Sequence, residues 1–288
     1  MKTDKWILKN TSSLEGKRVA ITGSTGGLGR ELCRYFAYLG ASLILVDRNV
    51  EKSIALANEL KKDFEKTNVN IIKSDMSDLE SVKNAANQLA EADIDFLVLN
   101  AGAYSIPRYK TDKGYDNVFT INFISPYYLA RKFLPKIKAR GGKIVAVSSI
   151  AHNYSKIDEN DIDFSTRKKA SLVYGNAKRY LTYSLFALDK EVVSITHPGI
   201  SFTGITNHYP KLIFALIKHP MKIIFPPPKK ACLSVLLGLF TDCKSGEWIG
   251  PAIFDVWGMP KKKTICTAST NEANKILAIT EEIYKNVN

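Results

Sequence analysis

Residues 18–29 read Arg18-Val19-Ala20-Ile21-Thr22-Gly23-Ser24-Thr25-Gly26-Gly27-Leu28-Gly29. A short β-branched run ends in a glycine-rich turn, and apolar residues at helical spacing follow from Leu28 to Leu39. Glycines let a backbone turn tightly and approach a pyrophosphate closely. The start of the helix adds free N–H groups and a partial positive charge. Gly23, Ser24, Thr25, Gly27, Leu28 and Gly29 are therefore candidate nucleotide contacts. The spacing is not G-x-G-x-x-G, and glycine turns also serve as plain connectors. The position between a strand and a helix is what carries the nucleotide reading.

The rhythm continues outward from that turn. Ser42–Val46, Val69–Ile72, Phe96–Leu99, Lys143–Val147 and Val192–Thr196 are apolar runs that predict strands. Helices are predicted at Glu51–Lys66, Leu79–Ala90, about Gly114–Lys138 and about Lys169–Leu188. Such alternation implies an α/β fold, a doubly wound parallel sheet of Rossmann type with helices on both faces. Residues 1–288 read as a single domain. The segment 203–239 breaks the pattern. It is apolar and carries Pro210, Pro220 and Pro226-Pro227-Pro228, and it reads as a C-terminal substrate lid followed by a helix. A last helix is predicted from Glu272 to Val287.

With 45% hydrophobic residues the chain can fill a core, which argues against disorder. The formal net charge of +13 fits three readings: a lysine-rich solvated surface, an anionic surface partner, or attraction of an anionic cofactor. The densest basic runs, Arg167-Lys168-Lys169 and Lys261-Lys262-Lys263, are short and far apart. No aromatic–basic interleaving suggests a specific nucleic-acid partner. Four cysteines without C-x-x-C spacing, and four histidines, give no expectation of a metal. That cysteine usage fits a reducing, cytoplasmic compartment. No run approaches spanning length; the nearest, Leu212–Phe225, is broken by Lys218, His219, Pro220 and Lys222.

Asp47 ends the second predicted strand, 18 positions past Gly29. A carboxylate there can accept from the adenosine ribose hydroxyls and repel a 2′-phosphate, which favours NAD. Arg48 beside it could bind that phosphate or stack on adenine, which keeps NADP open.

Tyr174 and Lys178 stand four apart on a predicted helix and so share a face. A free phenol, with a pKa near about 10, is a poor base at neutral pH. A nearby ammonium stabilises its anion, and Tyr174 could then act as general acid or base. Ser148-Ser149 end the fifth predicted strand and His197-Pro198-Gly199 the sixth, both at the carboxyl edge where open parallel sheets bind ligands.

In this order and at these intervals the chain resembles the short-chain dehydrogenase/reductase family over nearly its whole length. Thr22-Gly23-x-x-x-Gly27-x-Gly29 matches the family's cofactor loop, and Asn100-Ala101-Gly102 its hallmark after the fourth strand. Asp75 matches its adenine-contacting acid, and the adjacent Met76 joins the expected cofactor set. Asn122, Ser149, Tyr174 and Lys178 match its catalytic tetrad; Pro198, Gly199 and Thr203 match the segment that meets the nicotinamide carboxamide.

The resemblance implies roles. Ser149 positions the substrate oxygen, Tyr174 exchanges the proton, Lys178 lowers the Tyr174 pKa and holds the nicotinamide ribose, and Asn122 holds a water linking Lys178 to solvent. It implies hydride transfer between NAD or NADP and an apolar alcohol, ketone or aldehyde. It also implies a homodimer or homotetramer, with helices 114–138 and 169–188 as the interface. The competing function is a cofactor-binding regulator or scaffold without chemistry.

Ser149 and Tyr174 are 25 positions apart, about a dozen more than in compact members, with the insertion around Lys156 to Lys169. With Ser149-Ile150-Ala151-His152, this resembles the branch containing retinol dehydrogenases and WW-domain oxidoreductases. That branch often uses NADP, a habit that Asp47 opposes. From these residues neither a WW module nor a membrane anchor is expected, and the branch resemblance does not by itself imply a retinoid substrate.

Among residues outside this set, His152 reads as a loop residue, His197 as a partner for backbone groups, and Trp248 and Trp257 as packing. Ile213, Phe214, Leu216, Ile217, Ile223, Ile224 and Phe225 could line a pocket for a bulky apolar substrate. With Lys211, Lys218 and Lys222 they could instead make weak contact with a membrane surface.

Overall fold

The computed structural model describes residues 3–199, 226–265 and 267–288. The lid residues 203–225, Thr203 among them, lie outside the described residues, as does Cys266.

Seven parallel strands and one antiparallel strand form a single sheet. They are β1 (Arg18–Thr22), β2 (Ser42–Asp47), β3 (Val69–Lys73), β4 (Phe96–Leu99), β5 (Lys143–Val147), β6 (Val193–Thr196), β7 (Glu247–Ile253) and β8 (Trp257–Thr264). Their spatial order is β3-β2-β1-β4-β5-β6-β7-β8. The order reverses between β1 and β4, where Ala20 faces Leu97 in register. Crossovers leave in opposite directions there, which opens a crevice beyond the carboxyl ends of those strands. The six strands expected from apolar runs are all present. β8 was not among the expected strands; it folds back antiparallel on β7 through a tight turn at Phe254 and Asp255, both at positive φ.

Helices cover both faces. On one lie α1 (Thr3–Asn10), α2 (Gly27–Tyr38), α3 (Val50–Asp63) and α8 (Pro228–Gly238), the helix expected after the lid. On the other lie α4 (Leu79–Glu91), α6 (Ser125–Ala139), α7 (Ala170–Phe186) and α9 (Thr270–Val287). Asn49 caps α3 by accepting from the Lys52 N–H, and Asp78 caps α4 by accepting from Glu80 and Ser81.

The helix expected from Gly114 starts later. Gly114 takes φ +80 in a turn, Asp116 is the N-cap, and α5 (Asn117–Phe119) passes through a π turn (Thr120–Ile124) into α6. The insertion 156–169 forms turns without helix or strand.

The helix pair expected as a subunit interface is covered within the chain. α9 buries Ile276, Thr280 and Ile283 against α6 and α7, Thr280 shares a hydroxyl hydrogen bond with Ser184 at 2.7 Å, and Arg131 of α6 lies 4.5 Å over the Tyr284 ring. No helix among the described residues is long and apolar enough to cross a membrane.

Candidate active site

The glycine turn is held from three sides. Gly23 has φ +68, donates to the Val46 carbonyl at 3.0 Å, and accepts from Asn100 Nδ2 at 2.9 Å. A Cβ on Gly23 would stand 2.8 Å from the Ala101 Cα, and one on Gly29 would stand 2.2 Å from the Gly23 oxygen. Both positions therefore require glycine because backbone crosses them, while Gly26 and Gly27 are exposed. Thr22 completes the clamp: its hydroxyl accepts from the Asn100 and Ala101 N–H groups at 3.1 and 3.0 Å. That role was missed in the sequence; a hydroxyl on the last strand residue was the only signal.

The N-terminus of α2 has no side-chain cap and no acid in its first turn. Its orphan N–H groups follow the turn that leaves the carboxyl end of β1, an arrangement that fits a dinucleotide pyrophosphate.

At the adenosine end the geometry departs from expectation. Asp47 is 4% exposed, and its carboxylate accepts from the hydroxyls of Ser24 and Ser53 and, at 3.4 Å, of Thr25. Ser24 thus serves the carboxylate, and part of the accepting capacity expected for ribose hydroxyls is used inside the protein. The Arg48 side chain is 74% exposed, with Asp75 at 3.5 Å. Asp75 accepts from the Ser77 N–H and hydroxyl, and Met76 is buried with its carbonyl bonded to Ser125.

The expected tetrad converges beyond β5. Ser149 caps a 3₁₀ turn (Ile150–Asn153), its hydroxyl accepting from the Ala151 N–H at 3.2 Å. Its neighbour Ser148 is buried against Thr182 at 2.5 Å, so of the two serines only Ser149 faces the site. Burial around the Tyr174 hydroxyl pushes the phenol up to about 12, and a hydrogen bond with the Ser149 side chain pulls the other way. The Tyr104 ring meets Tyr174 edge-on at 5.4 Å.

Lys178 lies one turn on, with Nζ 5.7 Å from the Tyr174 ring centroid and donating to the Val147 carbonyl at 2.8 Å. Burial pushes its ammonium down to about 7. In both groups desolvation is the largest cause of the shift.

Asn122, in the π turn, is fully buried. Its amide donates to the Ala103 and Val118 carbonyls at 2.8 Å and accepts from the Ala103 N–H at 3.2 Å. The side chain expected to hold a water is thus largely spent on backbone. A Cβ on Gly102 would lie 3.0 Å from Asn122 Oδ1 and 3.8 Å from Lys178 Nζ, so the hallmark, Asn122 and Lys178 meet at one point.

Gly175 was also missed. A Cβ there would stand 2.5 Å from the Ala151 carbonyl, because α7 presses directly on the turn that follows Ser149. Gly199, at φ +82, packs against Pro251 and Val256 of the β7–β8 hairpin, which brings Pro198-Gly199 to the same edge.

His152 and His197 are both buried. His152 Nδ1 pairs with the Ser149 carbonyl at 2.7 Å; His197 Nε2 pairs with the Asp255 carbonyl at 3.0 Å, its ring stacks on Trp248, and burial pushes it down to about 4. No group of three or more metal-ligating side chains occurs among the described residues. A depression of about 500 Å³ lies over the insertion, walled by Tyr154, Ile157, Phe164, Arg167 and Leu172, but not by Tyr174.

A family model described as short chain dehydrogenase matches residues 17–160. Human retinol dehydrogenase 13 is 28% identical over 207 residues, 68% of this chain and 62% of that protein. Mouse retinol dehydrogenase 12 is 30% identical over 205 residues, 68% of this chain and 65% of that protein. The chain thus spans somewhat under two thirds of these two relatives.

Among solved structures, an uncharacterised protein from Mycobacterium paratuberculosis matches with a TM-score of 0.75 at 22% identity, covering 96% of both chains. L-sorbose reductase from Gluconobacter frateurii, solved with NADPH and L-sorbose, matches with a TM-score of 0.61 at 23% identity, covering 79% of this chain and 91% of that one. At such identities the structural matches establish the doubly wound fold. The family model covers half the chain, including the glycine turn, the Asn100-Ala101-Gly102 segment and Ser149. This chain therefore belongs to the short-chain dehydrogenase family.

Proposed function

We propose that this chain is an NAD(P)-dependent oxidoreductase. It would move a hydride between the nicotinamide and an apolar alcohol, ketone or aldehyde, with Tyr174 as general acid and base. The observation that carries this reading is the placement of Tyr174 beside the turn that Ser149 caps and one helical turn from Lys178, whose ammonium is anchored at the end of β5, at the edge that also holds the glycine turn. The convergence of Asn122, Ser149, Tyr174 and Lys178 favours it over a scaffold without chemistry, which has no use for two strongly shifted titratable groups in contact with that edge.

When bound, the nicotinamide dinucleotide supplies the hydride donor or acceptor and, when oxidised, a positively charged ring. The residues proposed to hold it are the turn Gly23 to Gly29, Asp47, Arg48, Asp75, Met76, Asn100, Ala101, Gly102, Tyr174, Lys178, Pro198, Gly199 and Thr203. Ser149 orients the substrate oxygen by hydrogen bonding. Tyr174 takes the hydroxyl proton in oxidation and returns it in reduction. Lys178 binds the ribose and, close to neutrality by burial, can pass a proton onward. Asn122 fixes the 101–103 backbone beside Lys178.

Of the two dinucleotides, NADP is the better supported. Asp47 is turned inward onto Ser24 and Ser53, and the exposed Arg48 guanidinium next to it is free to turn from Asp75 toward a 2′-phosphate. This reverses the preference drawn from the sequence. An apolar substrate is supported by Tyr104 beside Tyr174 and by the apolar sequence of 203–239, proposed as the lid of a single catalytic domain. A homodimer or homotetramer would use a surface other than the α6–α7 face that α9 covers. The free, buried Cys33, Cys232 and Cys243 support a reducing, cytoplasmic setting.

The test is Tyr174→Phe. Turnover on a panel of apolar alcohols and carbonyls should fall by about 10²–10⁴-fold, with the cofactor Kd changed little. Unchanged turnover would refute the assignment.

A further inference from the structure

Arg179 follows Lys178 on α7 and points away from the site, yet it is only 2% exposed. A buried guanidinium is costly unless each N–H finds a partner. Here all five do. Nε and Nη2 donate in parallel to the two carboxylate oxygens of Glu272, both at 2.7 Å. Nη1 donates to the His152 carbonyl at 2.8 Å and to Thr267 Oγ1 at 3.4 Å, and Nη2 also donates to the Thr267 carbonyl at 3.0 Å. The guanidinium lies 5.3 Å over the Tyr183 ring, and the Tyr183 hydroxyl accepts from the Thr267 and Ala268 N–H groups at 2.9 and 2.7 Å.

The His152 carbonyl belongs to the turn that Ser149 caps. His152 itself is bonded back to the Ser149 carbonyl through both its backbone N–H, at 3.1 Å, and its ring Nδ1, at 2.7 Å. Glu272, in the first turn of α9, also accepts from the Ile157 N–H at 3.2 Å, at the head of the insertion. One carboxylate therefore fixes, through one guanidinium, the turn after Ser149 and, directly, the loop beyond it. An apolar pair would fill this interior at less desolvation cost. What an apolar pair cannot supply is direction: a bidentate fork and a single arm aimed at the His152 carbonyl set the angle at which the turn leaves β5.

We propose that Arg179, clamped by Glu272 of the C-terminal helix, is a positioning residue that holds Ser149 in register with Tyr174. This rests on the dehydrogenase reading above. Lysine at 179 keeps the charge but loses the fork, and glutamine at 272 keeps the shape but loses the charge; the two variants therefore read the same clamp by different routes.

The experiment uses the full chain as Arg179→Lys and Glu272→Gln, alongside wild type and Tyr174→Phe. The readouts are NADPH Kd by fluorescence, kcat and KM on an alcohol that wild type oxidises, the pH dependence of kcat, and thermal midpoints. Expected is a loss of about ten- to a hundred-fold in kcat for both variants, with NADPH Kd and KM within about two-fold. The rising limb of kcat should also move to higher pH, because a displaced Ser149 no longer stabilises the phenolate. If Arg179→Lys does not fold, Glu272→Gln gives the same readouts.

Folded variants with wild-type kcat and an unmoved limb would overturn the proposal. So would a lower midpoint with unchanged kcat, the mark of a purely structural pair. Turnover that survives Tyr174→Phe would overturn the dehydrogenase reading and this proposal with it. Turnover that Tyr174→Phe abolishes but both clamp variants retain overturns the clamp alone.

Discussion

Lys178 Nζ donates to the Val147 carbonyl at 2.8 Å while standing 5.7 Å from the centroid of the Tyr174 ring. The ammonium is thus anchored to the end of β5 and not to the phenol. Desolvation acts on both groups and in opposite senses: the phenol goes up to about 12 and the ammonium down to about 7. The site is set so that an added positive charge beside it, not Lys178 alone, brings the phenolate within reach of neutral pH.

Lys178→Met should therefore abolish turnover yet stabilise the cofactor-free protein. An unfolded lysine titrates near 10.5 and the folded one near 7. Between those values unfolding takes up a proton, so stability is lost as pH falls from about 10.5 to about 7 and is level below. Replacing the ammonium by an apolar chain removes that dependence. A gain of about 1–3 kcal/mol at pH 7 is expected after the lost bond to Val147 is counted. Urea unfolding at pH 7 and pH 10 measures it; equal pH dependence in wild type and variant would contradict the burial argument.

The two directions of the reaction should show opposite pH trends. Oxidation needs Tyr174 deprotonated and should rise with pH; reduction needs it protonated and should fall. Parallel pH profiles for the two directions, measured on one alcohol–carbonyl pair, would remove Tyr174 from the proton step.

Arg48→Glu should raise the Kd for NADPH by about ten-fold or more and leave NADH within about three-fold, since it reverses charge only where a 2′-phosphate would sit. Fluorescence titration with both dinucleotides decides. Equal loss for the two would mean that Arg48 stacks on adenine or serves Asp75 alone.

Gly175→Ala should damage the site without touching a reacting atom. The new Cβ would press on the Ala151 carbonyl, a backbone atom that cannot swing aside. A destabilisation of about 1–3 kcal/mol is expected, together with a fall in kcat larger than the change in cofactor Kd. Wild-type kcat in the folded variant would show that the turn after Ser149 tolerates displacement.

What the sequence determined by itself was local. The glycine turn, the buried apolar runs of β2 and β4 and the four-residue spacing of Tyr174 and Lys178 all follow from short-range rules of period and backbone freedom. They sufficed for strands β1–β6, their parallel winding and the helix that carries Tyr174 and Lys178. Tertiary structure decided whatever depends on partners far apart in the chain: Asp47 turned onto Ser24 and Ser53, Arg179 paired with Glu272 across 93 positions, and α9 laid over the faces of α6 and α7. A hydrogen bond between such residues leaves no periodic trace in either segment. Its existence depends on which surfaces the finished sheet brings together, and so only the folded chain shows it.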